Sequence, residues 1–157
     1  MPRNSLEKDV PKIEERSGWS SLIAQCDPSL LCVTVDQVLQ VFGEALDLRV
    51  IHPAETGSIQ LPVREPVRRE RFLLADAIVS TAEVSVNGVI GWSMRIGTDK
   101  KAAMAGAIAD ALLAGDFSLQ TAPIVTLLTE TRRTIIDERN SKWEEIGKTI
   151  ISFEELD

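Results

Sequence analysis

The chain carries a single imidazole, His52, and a carboxylate follows three residues later at Glu55, with Pro53 between them. A neutral imidazole and a carboxylate make a general base and acid when the backbone aims both at one substrate. A lone histidine at a strand end is more often a hydrogen-bonded surface residue, and no further catalytic partner adjoins this pair. Arg71 belongs to the densest basic cluster, with Arg68 and Arg69, and guanidinium groups bind phosphate or carboxylate bidentately. Glu65 and Glu70 interrupt that cluster, which also suits a plain charged loop. Asp99, Lys100 and Lys101 stand where a helix is expected to begin. Free N–H groups and the helix dipole attract anions there, while an acidic cap followed by solvated lysines accounts for the same residues. Gly91-Trp92-Ser93 opens like a nucleophile elbow, but Arg95 occupies the place of the second glycine and the run lies inside an expected strand. His52, Glu55, Arg71, Asp99 and Lys100 are therefore candidates for partner or anion binding, and no residue is assigned a catalytic role.

Metal and cofactor chemistry find little support. Two cysteines, Cys26 and Cys32, and one histidine do not supply the four ligands of a structural zinc site. Both cysteines are expected to be reduced core residues. The sequence has no Walker A loop, no Gly-x-Gly-x-x-Gly and no Cys-x-x-Cys, so neither a metal nor a cofactor is expected. Net charge is -7, from 17 Lys+Arg against 24 Asp+Glu, which argues against a phosphate-backbone partner. No window approaches the roughly 20 apolar residues of a membrane span, and the first residues are charged without an apolar signal region. The expectation is a soluble cytoplasmic protein with no nucleic-acid or membrane partner.

The elements that must position these residues follow from periodicity. At 157 residues the chain suits one domain, able to bury roughly 70% of its unfolded surface. Residues 1–16, charged and punctuated by Pro2 and Pro11, are expected to form a mobile arm, and residues 17–157 a single domain ending in a helix and a docking tail. Trp19, Leu22 and Ile23, then Val35, Val38, Leu39 and Phe42, recur at spacings of three and four, which predicts two amphipathic helices with Asp27-Pro28 starting the second. From Leu48 the period changes to two. Leu48 and Val50, then Ile59, Leu61 and Val63, predict a strand pair turning at Thr56-Gly57. Asn87-Gly88 predicts a two-residue hairpin between strands 72–86 and 89–96, because both positions need positive φ. Its register places Val86 opposite Val89, Val84 opposite Gly91, Glu83 opposite Trp92 and Ala82 opposite Ser93, with Gly91 leaving room beside Val84. Thr98 or Asp99 caps the next helix and Gly115 stops it; Thr121 and Pro123 open a longer one. The tail holds Ile150, Ile151 and Phe153, apolar groups that need a partner surface or else cover the protein's own helices. The fold class is α+β, an antiparallel four-stranded meander packed with N-terminal and C-terminal helices.

Taken in order, Val50-Ile51-His52-Pro53-Ala54-Glu55-Thr56-Gly57, Arg71-Phe72, Asn87-Gly88-x-x-Gly91, Gly97-x-Asp99-Lys100 and Asp110-Ala111-Leu112 resemble the PhnG family, the G subunits of carbon–phosphorus lyase. The resemblance covers about Arg49 to Leu113. It implies a cytoplasmic subunit of a core complex with PhnH, PhnI and PhnJ type subunits. With the H, I and L subunits, that family's activity is synthesis of α-D-ribose 1-methylphosphonate 5-triphosphate, methylphosphonate displacing adenine from ATP. In the family the iron–sulfur and radical chemistry belongs to the J subunit and the nucleosidase activity to the I subunit. On this reading ATP and phosphonate meet the chain only through the complex. The alternative is an independent small-ligand-binding or regulatory module on the same fold.

Overall fold

The computed structural model describes residues 10–115 and 117–154, the side chains of residues 118 and 147–154 excepted. Helix α1, Arg16–Gln25, turns its Leu22 and Ile23 into the core. Helix α2, Pro28–Phe42, starts where the sequence says it should: the Asp27 carboxylate accepts from the Leu30 N–H at 2.9 Å, and Pro28 sits where no amide donor is needed. A short 3₁₀ turn, Gly43–Ala45, leads into strand β1, Leu48–Arg64. Strands β2, Arg71–Val86, and β3, Val89–Ile96, follow. Helix α3, Lys100–Ala114, and helix α4, Ser118–Glu154, complete the described chain.

The strands form one antiparallel sheet in the order β1-β2-β3. The β2–β3 hairpin has the expected register, Val86 with Val89, Val84 with Gly91, Glu83 with Trp92 and Ala82 with Ser93. Its turn has Asn87 at φ 49 and Gly88 at φ 83, both in the left-handed region that a right-twisted hairpin requires. Asn87 does more than turn. Its Oδ1 accepts from the Asp47 N–H at 2.7 Å and its own N–H donates to the Asp47 carbonyl at 2.9 Å, tying the hairpin to the start of β1.

Three expectations are corrected. The four-stranded meander is a three-stranded sheet among the described residues, because Leu48–Val50 and Ile59–Val63 are parts of one 17-residue strand. Thr56 and Gly57 do not turn; they pair with Ser80 and Val79 of β2. Partners available along the whole of β2 outweigh the local turn preference of Thr-Gly, and register shifts between Val50 and Glu55 change the alternation that marked two separate strands. Second, the space at Gly91 is filled by helix α3. A Cβ there would strike the Ala107 carbonyl and the Ala111 backbone and would lie 2.6 Å from the Ala111 Cβ. Third, α4 begins before Thr121, includes Pro123 and continues through Gly147 for 37 residues.

Helix α3 is the centre of the molecule. Every residue from Ala102 to Leu112 except Met104 is buried, so this helix is covered on all sides where the spacing predicted one apolar face. Its alanines allow β2 and β3 to approach on one side and α1, α2 and α4 on the others. Asp99 caps it by accepting from the Ala102 N–H at 2.9 Å, and Gly115 ends it. The core between the inner sheet face and the helices is built on Val84, Val86, Leu22, Leu31, Leu112, Ile124 and Leu128, all fully buried. Each such side chain contributes about 1.5–3 kcal/mol by leaving water. Val10 and Ile13 pack from the N-terminal side, and residues 1–9 lie outside the described residues.

Candidate functional site

The face of the sheet away from the helices is open. Strand pairing aligns His52, Glu83 and Trp92 in one row across β1, β2 and β3, with Glu55, Thr81 and Met94 in another. The imidazole Nε2 of His52 lies 3.6 Å from Glu83 Oε2, so the carboxylate nearest His52 is Glu83 and not Glu55. The register shift between His52 and Glu55 separates the two candidates. Trp92 beside them is 47% exposed. This row offers a hydrogen-bonding base, an acid and an aromatic plane on an exposed, shallow surface, where an ion pair is worth about 0–1 kcal/mol. It suits contact with another surface better than enclosure of a substrate.

The remaining candidates lie elsewhere. Arg71 begins β2 opposite Arg64, twelve residues along the strand from Glu83 and so about 40 Å away if extended. Asp99 uses its carboxylate as the α3 cap, which places negative charge where an anion would bind. Lys100 is exposed at the same helix start, and its neighbour Lys101 reaches Asp36 at 3.6 Å. The side chains of Ile150, Ile151 and Phe153 lie outside the described residues; their backbone continues α4. Sequence spacing thus named residues of four separate places. A groove of about 700 Å³ between Lys12–Glu14 and α4, lined also by Arg132 and Arg133, contains none of them.

Two buried charged groups have no role assigned from the sequence. Asp110, 2% exposed on α3, accepts from Arg16 at 2.7 Å, from Trp19 Nε1 at 2.8 Å, from Ser20 Oγ at 3.2 Å and from the Trp92 N–H at 3.0 Å. The carboxylate beside it holds the Arg16 guanidinium above its ordinary pKa, chiefly through that hydrogen bond. Arg95 is also buried, and donates to the carbonyls of Ile23 and, at 2.6 Å, Cys26. It thereby satisfies carbonyls at the end of α1, where the dipole favours a cation. Both groups organise the fold behind the sheet. The signal that could have found Asp110 is a carboxylate standing alone within the small-residue run Ala102–Leu113.

Beyond Gly57 and Val79 the sheet narrows. β3 ends at Ile96 opposite Val79, and β1 and β2 continue as a two-stranded ribbon, residues 58–64 with 71–78, joined by a tip at 65–70. The tip is ordered by its own backbone: the Glu65 N–H donates to the Glu70 carbonyl and the Arg69 N–H to the Glu65 carbonyl, each at 2.9 Å. The Glu65 carboxylate accepts from the Val67 and Arg68 N–H groups. Arg69 holds φ 58, where glycine would be cheaper. Among the described residues no group of three or more His, Cys, Asp or Glu is placed to hold a metal ion. No single described helix is long and apolar enough to cross a membrane.

The model of the family described as "Phosphonate metabolism protein PhnG" matches residues 14–156, nearly the whole chain. The chain belongs to that family and has a role in phosphonate metabolism.

Proposed function

We propose that this PhnG family member is a non-catalytic, accessory subunit of a cytoplasmic carbon–phosphorus lyase core complex. In that complex it supports ATP-dependent synthesis of α-D-ribose 1-methylphosphonate 5-triphosphate from methylphosphonate, adenine being displaced, during organic phosphonate catabolism. Its partners are PhnI, PhnH and PhnJ type subunits, and ATP and phosphonate reach it only through them. The observation that carries the reading, beside family membership, is the ribbon of residues 58–78: it gathers Leu61, Val63, Phe72, Leu73, Leu74 and Ile78, all exposed, on one two-stranded element away from the core around α3. Surfaces of that kind are made for protein contact.

In this reading residues 17–157 form a single domain against which Val10 and Ile13 pack, and the chain works by presenting surfaces. His52 on the open sheet face, Arg71 on the ribbon and Lys100 at the α3 start meet carboxylates or phosphates of the assembled complex, while Glu55 and Asp99 face hydrogen-bond donors or cations of its partner surfaces. Ile150, Ile151 and Phe153 dock the C-terminal end of α4. Affinity purification of the tagged chain from cells grown on a phosphonate tests the assignment. Recovery of an I-type subunit is expected, and recovery of the chain only as a free monomer contradicts it.

A further inference from the structure

Resting on the accessory-subunit reading, the geometry assigns one contact of that subunit: we infer that the ribbon formed by residues 58–78 inserts into an apolar, acid-rimmed groove of a partner subunit. A two-stranded ribbon standing alone is marginally stable in water, and three strands or a packed face are normally needed to hold one. This ribbon has neither among the described residues, since β3 stops at Ile96 and residues 60–64 and 71–76 are exposed.

The side chains say what shape must cover it. Phe72 is 47% and Leu73 60% exposed, and Val63 and Pro62 pair with them across the strands. Successive strand residues point to opposite faces, so apolar groups stand on both faces of the ribbon. A flat surface covers one face only. Pairing of two copies edge to edge through β2 would cover neither, although on the side away from β1 the β2 edge from Arg71 to Ala77 has no strand beside it among the described residues and offers backbone groups to an occupant. A groove that closes on both faces, with a strand edge along β2, satisfies the apolar groups and the backbone together.

The charges say what lines its rim. At the tip, four arginines, Arg64, Arg68, Arg69 and Arg71, face two glutamates, Glu65 and Glu70, in a chain whose net charge is -7. Glu65 is occupied with the tip's own amides, so the outward charge is cationic. Arg69 is held at φ 58 in spite of the cost to a residue with a Cβ, which fits a guanidinium retained for what it meets. Its complement is a cluster of carboxylates. The charges also set encounter rates and partner choice, the apolar faces the lifetime of the complex.

Two variants of the full chain test this, each compared with wild type for capture of co-expressed PhnI, PhnH and PhnJ type subunits: Phe72→Ser with Leu73→Ser, and Arg68→Glu with Arg69→Glu. All four residues are exposed, so melting temperature and monomer size of the isolated chain should stay at wild-type values. Affinity for the partner should fall at least tenfold in the first variant and at least fivefold in the second, with the wild-type interaction weakening as salt is raised. Should the first variant fail to fold, the second decides alone. Wild-type capture with variant binding within twofold of it overturns the ribbon contact and leaves the accessory reading standing. Absence of wild-type capture overturns the accessory reading and the ribbon contact with it. Wild-type self-association that the variants abolish assigns the ribbon to a second copy and overturns the proposal as well.

Discussion

Arg16 and Asp110 stand 94 residues apart in the chain, and their guanidinium and carboxylate meet at 2.7 Å. The pair is unequal: the Arg16 side chain is half exposed, whereas Asp110 is buried and also receives Trp19, Ser20 and the Trp92 amide. Removing Asp110 strands buried donors, while removing Arg16 leaves the carboxylate three other hydrogen bonds. Asp110→Ala should therefore cost about 3 kcal/mol and Arg16→Ala about 1 kcal/mol. Urea denaturation of both variants checks the order; equal losses would mean that the ion pair alone matters.

Gly91 has no Cβ because α3 occupies the place of one. Gly91→Ala must push Ala107 and Ala111 away from β3, against a helix buried on every side, and should cost about 2–3 kcal/mol. A melting temperature unchanged from wild type would show that the sheet and α3 do not approach as described.

At the hairpin, Gly88→Val forces a β-branched residue to φ 83, and Asn87→Ala removes both a tolerated left-handed residue and the acceptor of the Asp47 amide. Both should destabilise, by about 1–3 kcal/mol, with Gly88→Val the larger. Equilibrium denaturation decides, and an unaltered midpoint for Gly88→Val would exclude a primed turn.

Burial pushes the Cys26 thiol above its ordinary value, with the Arg95 cation opposing in part. Burial and then the Asp99 carboxylate raise Cys32 likewise. A raised thiol pKa means that the unfolded chain ionises first as pH rises. The stabilisation is complete below the unfolded thiol pKa of about 8.5 and is lost above it, with a limiting slope of about 1.4 kcal/mol per pH unit for each thiol. Unfolding free energy measured from pH 7 to 10 should fall, and Cys26→Ala should flatten the fall. A slope identical in that variant would remove Cys26 as its source.

The legible parts of this fold are those where a local conformation admits few residues. Asn87-Gly88 demanded positive φ and so set the β2–β3 register, and Asp27-Pro28, Asp99 and Gly115 marked helix ends through donors and acceptors within four residues. In sequence β1 resembles two strands because Thr56-Gly57 has turn chemistry, whereas its conformation is set by pairing with Ser80 and Val79, more than twenty residues away. The site failed in the same way. Glu55 is near His52 in sequence, but the register shift brings Glu83 to it, and Asp110 draws its partners from α1 and β3. Periodicity reports what an element buries, and it carries no information about which distant element supplies a hydrogen bond.

In the proposed role the chain supports phosphonate ribosyl transfer without performing it. Adenine release from ATP and methylphosphonate, measured for the purified chain, for the partner subunits without it, and for the complete mixture, tests this most directly. The account predicts no release above background from the chain alone, and a rate at least tenfold lower when the chain is omitted from the mixture than when it is present. Adenine released by the chain alone, or a partner mixture indifferent to its omission, would contradict it.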